Sequence, residues 1–437
     1  MGYIVEYASP ENVVKTVKSN DKIALANLCA EPRIFPDLLF DRAQEVSNVR
    51  LFHMRPCGEF VQRYLDPGME QHVKCSTAFT GGVKPIVQLI REGRADFYPI
   101  PLSKAPWLIR QVFRPDIFVA TVSPPDDKGN CSLGVSVDYG LSAFETAKVR
   151  IVEVNENMPR TGGDAIIPAD MIDYFLESQA PIHELPPPKI TNLERRLAEN
   201  VTCLVPDGAT IQVGYGAISE SITPFLAEKK DLGLHSEMFP ESAMTLTQQG
   251  ALTGAQKSIH GGKAVCAFAA GTKRLYEWLD QYTDIELKPL DYTNDPKIIA
   301  SNSKMTAINT ALQVDLYGNI YSDMLGFDQY SGAGGQPDFV IGSQLCPGGI
   351  SIIVLPSTAA DGKVSRIVAH PTLSPNQQAP AIPTLTRFQA DYVVTEQGTA
   401  FLRDKTTKER AQAILELAHP DFADELWRGG RKLNLLS

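Results

Sequence analysis

Short apolar and β-branched runs at 22–25, 49–52, 117–122 and 149–152 alternate with helix-like stretches such as 36–46 and 84–92. That alternation predicts an α/β fold with a largely parallel sheet. Around residues 181–193 the segment PIHELPPPKITNL places three consecutive prolines in the chain, and proline-rich stretches act as semi-rigid spacers. The join between two domains is expected there, giving 1–187 and 188–437.

The two halves carry an internal echo, and self-similarity predicts paired supersecondary units. NDKIALANLCAEPRIFPDLL leads after a helix to NVRLFHM at 48–54, and PDGATIQVGYGAISESITPFL leads to LGLHSEM at 232–238. Both read as strand, turn, helix, strand and His. Later, SPPDDKGNCSLG (123–134) is echoed by QVDLYGNIYSDM (313–324), each with a D-x-x-G-N turn flanked by strands. The expected architecture is therefore two related open α/β domains with largely parallel sheets and an active site between them.

Composition narrows the function. Of 437 residues 43% are apolar and 21% charged, inside the range of folded globular chains. With 41 basic against 51 acidic residues the net charge is −10, which argues against nucleic-acid or anionic-membrane binding because both need a positive field. Seven cysteines are scattered, with no C-x-x-C spacing, so neither a disulfide framework nor a thiolate metal site is expected. The first residues lack the apolar run of a signal peptide, and no run approaches the length of a membrane span. A cytoplasmic protein is the expectation.

Familiar catalytic motifs fail on mechanical grounds. Ser132 in NCSLG lacks the first glycine of a nucleophile elbow. Gly214-Tyr215-Gly216 follows the strand-like TIQV and precedes a helix near Ser219, but no third glycine completes a dinucleotide fingerprint. It can form a ligandless turn or present backbone N–H groups to a phosphate or oxyanion. The cluster Ser331-Gly332-Ala333-Gly334-Gly335-Gln336 reads either as a flexible turn or as main chain that a ligand can approach without Cβ interference. Glu237 stands just after a strand-like run, where ligands gather in open α/β sheets, although a Glu there is most often a solvated loop residue. His53 and His235 read as packed core histidines.

These segments, with AEPR (30–33), VSPPDDKGNCSLGVSVDY (122–139), GTKRLY (271–276), LKPLDY (287–292), LQVDLYGNIYSD (312–323), SGAGGQPDF (331–339), ADYVVTEQG (390–398) and AHPDF (418–422), resemble the acetyl-CoA hydrolase/transferase family of class I CoA-transferases. The resemblance runs from about residue 10 to about residue 425. It implies that Glu237, in HSEM, is a nucleophile that carries coenzyme A as a glutamyl thioester. It assigns Gly214, Tyr215, Gly216, Ala217, Ile218, Gly332, Gly334 and Gly335 to coenzyme A binding, with Leu312 as a weaker candidate. Tyr215 and Ala333 depart from the family's usual aliphatic residues. The implied reaction moves coenzyme A between short-chain carboxylic acids, with acetyl-CoA or butyryl-CoA as donor and 4-hydroxybutyrate as acceptor; the alternatives are an acyl-CoA hydrolase or an acetate/butyrate CoA-transferase of the same family and, more distantly, a non-catalytic coenzyme A-binding protein. It uses no metal and no separate cofactor, since the coenzyme A thioester is a substrate, and the expected assembly is a homodimer. Lys273 and Arg274 could meet the coenzyme A phosphates, but surface helix charges are the simpler reading.

Overall fold

The apolar runs pair into strands, and one large sheet forms the centre of each of two compact units of a computed structural model that describes residues 5–214, 216–370 and 382–437. The chain passes from the first unit to the second after Pro186, and two later stretches, Met238–Glu241 and Val265–Thr293, return to the first. Among the described residues no helix is long and apolar enough to cross a membrane.

The first unit contains strands β1 (Lys22–Leu25), β2 (Val49–Phe52), β3 (Val73–Thr77), β4 (Asp96–Phe97), β5 (Ile117–Val122), β6 (Val149–Val154) and β7 (Tyr174–Glu177). They lie in the order β4-β3-β2-β1-β5-β6-β7, and every neighbouring pair is parallel. Helices cover the faces of a parallel sheet, so its strands can be apolar throughout. All six residues of β5 are buried. Ile23, Leu25, Leu51, Val119 and Ile151 meet Phe35 and Leu39 of helix α1 (Phe35–Asp41) in one core.

One charged residue interrupts this pattern for a structural reason. Glu153 on β6 is fully buried, and its carboxylate accepts the N–H groups of Arg33, Ile34 and Phe35 at 2.8–2.9 Å. Helix α1 has no side-chain cap of its own. Its orphan N-terminal donors are satisfied from the sheet, where a negative charge also suits the helix dipole. Helix α2 (Lys84–Arg91) starts on a proline near its N-terminus, as its sequence predicts.

The second unit contains β8 (Thr210–Val213), β9 (Gly233–Leu234), β10 (Met305–Thr310), β11 (Ile350–Val354), β12 (Tyr392–Thr395) and β13 (Gly398–Phe401), in the order β9-β8-β10-β11-β12-β13. Its pairs are parallel except the terminal β12–β13 hairpin. In the first unit β1, α1 and β2 form a βαβ step between neighbouring strands. In the second, β8, helix α3 (Ala217–Ile222) and β9 form the same step.

The D-x-x-G-N echo is repeated at the level of hydrogen bonds. Asp126 Oδ1 accepts from the N–H groups of Lys128 and Asn130, and Asp315 Oδ1 accepts from those of Tyr317 and Asn319. Gly129 and Gly318 donate to the carbonyls of Asp126 and Asp315, both at 2.9 Å. Each glycine has a positive φ, 76° and 91°, which side chains other than Gly rarely adopt.

The two turns differ in burial. Asp315 is 1% exposed, and its Oδ2 also accepts from Asn319 Nδ2 and Tyr321 Oη. Asp315→Ala strands these buried donors and should destabilise the protein by at least about 2 kcal/mol. Asp126→Ala, whose donors can turn to water, should lower the unfolding midpoint less. Thermal unfolding of the two variants side by side checks the order, and equal shifts would contradict it.

Candidate active site

Glu237 lies in the second unit at the carboxyl end of β9. The edge strand is held in line beyond its last paired residue. His235 N–H donates to Ile211 O, while Ser236 Oγ donates to Val213 O at 3.1 Å. Behind the strand runs Lys257, 7% exposed, whose Nζ donates to the carbonyls of Leu234 (2.9 Å) and Lys263 (2.8 Å). Gly233 makes that passage possible, because a Cβ there would stand 2.4 Å from Lys257 Cγ. His235 is fully buried, with its ring edge-on to Phe339 at 6.3 Å. The register of β9 is thus fixed on both sides of the residue that follows it.

Two groups converge on the Glu237 carboxyl. Asn294 Nδ2 donates to Oε1 at 2.6 Å, and the Gly335 main chain lies against the same oxygen, where its N–H favours the carboxylate form. Gly335 has an ordinary φ of −91°, so space rather than backbone conformation selects glycine. A Cβ at 335 would lie 1.5 Å from Glu237 Oε1 and 2.3 Å from Asn294 Nδ2. Gly335 caps helix α5 (Gln336–Leu345), whose N-terminal dipole favours negative charge. The loop is tied down by Gln336, whose Nε2 donates to Thr310 O at 3.0 Å.

Asn294 reaches the carboxyl because the segment after it is locked against α5. Helix α4 (Pro296–Ala300) is capped by Asp295, and Gly342 on α5 lets Ile299 approach so closely that a Cβ there would be 2.5 Å away. Asp338, in the first turn of α5 and 4% exposed, places Oδ2 3.4 Å from Asn294 Nδ2. Burial pushes the Glu237 carboxyl up to about 7 and the Asp338 charge acts in the same direction, while the Asn294 and Gly335 hydrogen bonds pull it down. Nearby, Gln212 and Asn309 form a buried reciprocal amide pair across β8 and β10.

The other sequence candidates separate clearly. Gly214 follows β8, with a Cβ position 3.2 Å from Ser219 Oγ, and Gly216 begins α3 at φ +126° beside open space. Helix α3 starts at Ala217, with Ile218 in its first turn; Tyr215 lies outside the described residues. Gly332 is buried and Gly334 has φ +61° in the loop leading to Gly335. Leu312 borders a cavity of about 990 Å³ together with Tyr330.

In the first unit, Lys273 pairs with Glu277 and Arg274 with Glu241, and both cations are largely exposed. His53 is buried against Tyr64 Oη, and desolvation lowers its ring to about 4, as befits a neutral core histidine. Ser132 is fully buried, its Oγ accepting from Gly134 N–H. Asn294, Asp338, Lys257 and the Gln212–Asn309 pair were not singled out from sequence. Asp338 does lie within the SGAGGQPDF segment, whereas Asn294 carries no signal of its own.

Fold and site together define an open α/β protein with a desolvated carboxyl held by an amide and set against a glycine main chain. Residues 2–184 match the acetyl-CoA hydrolase/transferase N-terminal domain and residues 271–429 the acetyl-CoA hydrolase/transferase C-terminal domain. The chain belongs to the acetyl-CoA hydrolase/transferase family and is an enzyme of that family. It is 38% identical to a 4-hydroxybutyrate coenzyme A transferase of Clostridium kluyveri over 98% of both chains. It is also 37% identical to a succinyl-CoA:cyclohexane-1-carboxylate CoA transferase of Geobacter metallireducens, over 99% of this chain and 96% of the relative. The crystal structure of a 4-hydroxybutyrate CoA-transferase from Porphyromonas gingivalis superposes with a TM-score of 0.82 at 33% identity, covering 98% of this chain and 97% of that one.

The electrostatics give a direct test. Glu237 should titrate with a midpoint near pH 7, ionised above it and protonated below. Asp338→Asn removes a neighbouring negative charge and should lower that midpoint. Infrared difference spectra against Glu237→Gln read both, and a wild-type midpoint at the ordinary 4.5 would show a solvated carboxyl.

Proposed function

We propose that this enzyme transfers coenzyme A from acetyl-CoA or butyryl-CoA to 4-hydroxybutyrate by a ping-pong route through a thioester on Glu237. The observation that carries this reading is the Glu237 carboxyl with Asn294 Nδ2 at 2.6 Å and the Gly335 main chain against the same oxygen. A raised carboxyl is a stronger nucleophile once ionised, and near pH 7 a substantial fraction is ionised.

In the proposed sequence the Glu237 carboxylate attacks the donor thioester, forming a mixed anhydride and expelling the coenzyme A thiolate. The thiolate attacks the Glu237 carbonyl and the donor acid leaves as its carboxylate. The acceptor carboxylate then attacks the glutamyl thioester, again releasing thiolate. Attack of that thiolate on the acceptor's acyl carbon yields the new acyl-CoA and restores Glu237. No electrons are gained or lost and no net proton moves, so the route needs no redox cofactor. The two donors that hold the resting carboxylate suit the oxyanion that forms when its carbon becomes tetrahedral, and one such donor is typically worth about 3–4 kcal/mol.

The choice of 4-hydroxybutyrate rests on the relative that is 38% identical. The Geobacter relative, at 37%, is named for a cyclic acceptor, so the acid itself needs direct measurement. A panel of short acids with acetyl-CoA as donor should give the highest kcat/KM with 4-hydroxybutyrate. A much higher value for another acid would replace it, and free thiol released without any acceptor would mark a hydrolase.

Covalent capture tests the nucleophile. Acetyl-CoA without acceptor should leave a glutamyl thioester that borohydride reduces to an alcohol at residue 237, and Glu237→Gln should lose both the adduct and turnover. Gly335→Val, which drives carbon atoms into the Glu237 oxygen, should cost at least about tenfold in rate, or about 1.4 kcal/mol, in a folded protein. An adduct on another residue, or full activity in Gly335→Val, would overturn the assignment.

A further inference from the structure

In the first unit the chain keeps its register for several residues past the ends of β1 and β2. The strands pair in parallel with partners 28 residues apart, from Lys22 with Arg50 to Ala24 with Phe52. The same offset holds beyond them, where Arg55 N–H donates to Asn27 Oδ1 at 3.3 Å, and it brings Cys29 beside Cys57. The Glu31 carboxyl then clasps the second segment, accepting from Gly58 N–H at 2.6 Å and from Cys57 N–H at 3.2 Å. Neighbouring strands run about 5 Å apart, a separation at which two cysteines can be bridged. Leu28 turns the chain just before Cys29 with φ +51°, which a leucine rarely adopts.

All seven cysteines are free thiols, and these two behave unlike the others. Burial pushes the thiols of Cys75, Cys131 and Cys346 up, as in inert core cysteines. Cys29 is 1% exposed, yet its thiol is lowered, first of all by Cys57 and against its own burial. The Cys57 thiol is raised, first by Cys29 and then by burial. Thiols that act on each other in opposite directions titrate as a pair, one sulfur taking the charge while the other keeps the proton. The Arg55 cation favours ionisation of both, and its Nη1 donates to Cys57 Sγ at 3.5 Å. Burial holds the Glu31 carboxyl well above the usual carboxylate range, which favours its neutral form beside the pair. Access comes through Cys57, half-buried and lining a cavity of about 610 Å³ with Asp37, Glu59 and Arg63. Among the described residues no three His, Cys, Asp or Glu side chains converge as a metal site requires.

We propose that Cys29 and Cys57 form a redox-active dithiol that a hydroperoxide converts to a disulfide. The site is separate from the Glu237 chemistry, since both cysteines belong to the first unit. The Cys57 sulfur, at the cavity, attacks one oxygen of hydrogen peroxide. Its proton passes to the Cys29 sulfur, the O–O bond breaks and hydroxide leaves, so that Cys57 becomes a sulfenic acid. The Cys29 sulfur then attacks the Cys57 sulfur. The S–S bond forms, the S–O bond breaks, and the hydroxyl group departs with the Cys29 proton as water. The two sulfurs together lose two electrons, which the peroxide oxygens gain. A dithiol reductant reverses the change by exchange at the bridge.

Hydrogen peroxide added to the native protein, followed by alkylation of the remaining thiols and tryptic mapping without reductant, reads the bridge directly. Peptides 23–33 and 51–63, which hold the two cysteines, should appear joined, and dithiothreitol should separate them. The bridge should form at least about tenfold faster than the exposed Cys203 is oxidised. Cys29→Ser leaves the sulfenic acid without its partner, so dimedone should label Cys57. Phenylarsine oxide, which spans two neighbouring thiols, tests the pair in the unmutated protein: it should hold both cysteines against alkylation in urea until dithiothreitol releases them. A bridge to another cysteine, oxidation of Cys203 first, or free alkylation of both cysteines after phenylarsine oxide would overturn the proposal.

Discussion

Everything at the site depends on bringing a main-chain N–H within hydrogen-bond reach of a side-chain carboxyl already held by an amide. No side chain fits at position 335, since its first carbon would coincide with the Glu237 oxygen. Once glycine stands there, the rest of the local structure serves to make its position definite. Gln336 anchors the loop to Thr310, α5 carries Asp338 to the Asn294 amide, and Gly342 lets α4 close against α5. A hydrogen bond of 2.6 Å between an amide and a carboxylate is short for N–H donors. It requires that neither partner be free to drift.

The opposite side of the site is set by the sheet. A two-residue edge strand is a weak element by itself, so additional interactions hold β9 to its neighbour. Lys257 spans behind it to the Leu234 carbonyl, Ser236 binds the end of β8, and the channel for Lys257 exists only because residue 233 is glycine. Burying a lysine is expensive unless it is hydrogen-bonded; here two carbonyls satisfy it. Both sides of the site therefore use a glycine to admit a polar group that then fixes the backbone.

The sheets were legible from sequence because strands of a covered parallel sheet read as apolar runs, and the βαβ step at β1 recurred at β8. The repeated aspartate turn was legible for a similar reason: an acceptor, a positive-φ glycine and their spacing are all local. Glu237 and Gly335 stand out only through the resemblance of HSEM and GAGGQ, because a Glu after a strand and a glycine-rich loop each have commonplace readings. Asn294 was not legible at all. It is separated from Glu237 by 57 residues and becomes important through the packing of α4 on α5, which depends on one glycine facing one isoleucine. The return of Met238–Glu241 and Val265–Thr293 to the first unit is equally hidden, since a proline-rich linker marks one crossing of the chain and says nothing of later ones.

Charge completes the relation between these parts. Raising the Glu237 carboxyl from 4.5 to about 7 corresponds to about 3 kcal/mol against ionisation, so the resting site holds its negative charge weakly. A carboxylate so held is closer in energy to the neutral acyl forms through which an acyl carrier must pass. Asp338 contributes to that loosening while it orients Asn294, so one residue both supports the donor and limits how strongly the donor stabilises the ground state. In the proposed route Asn294 and Gly335 are consequently of greatest use once charge has moved onto the Glu237 carbonyl oxygen.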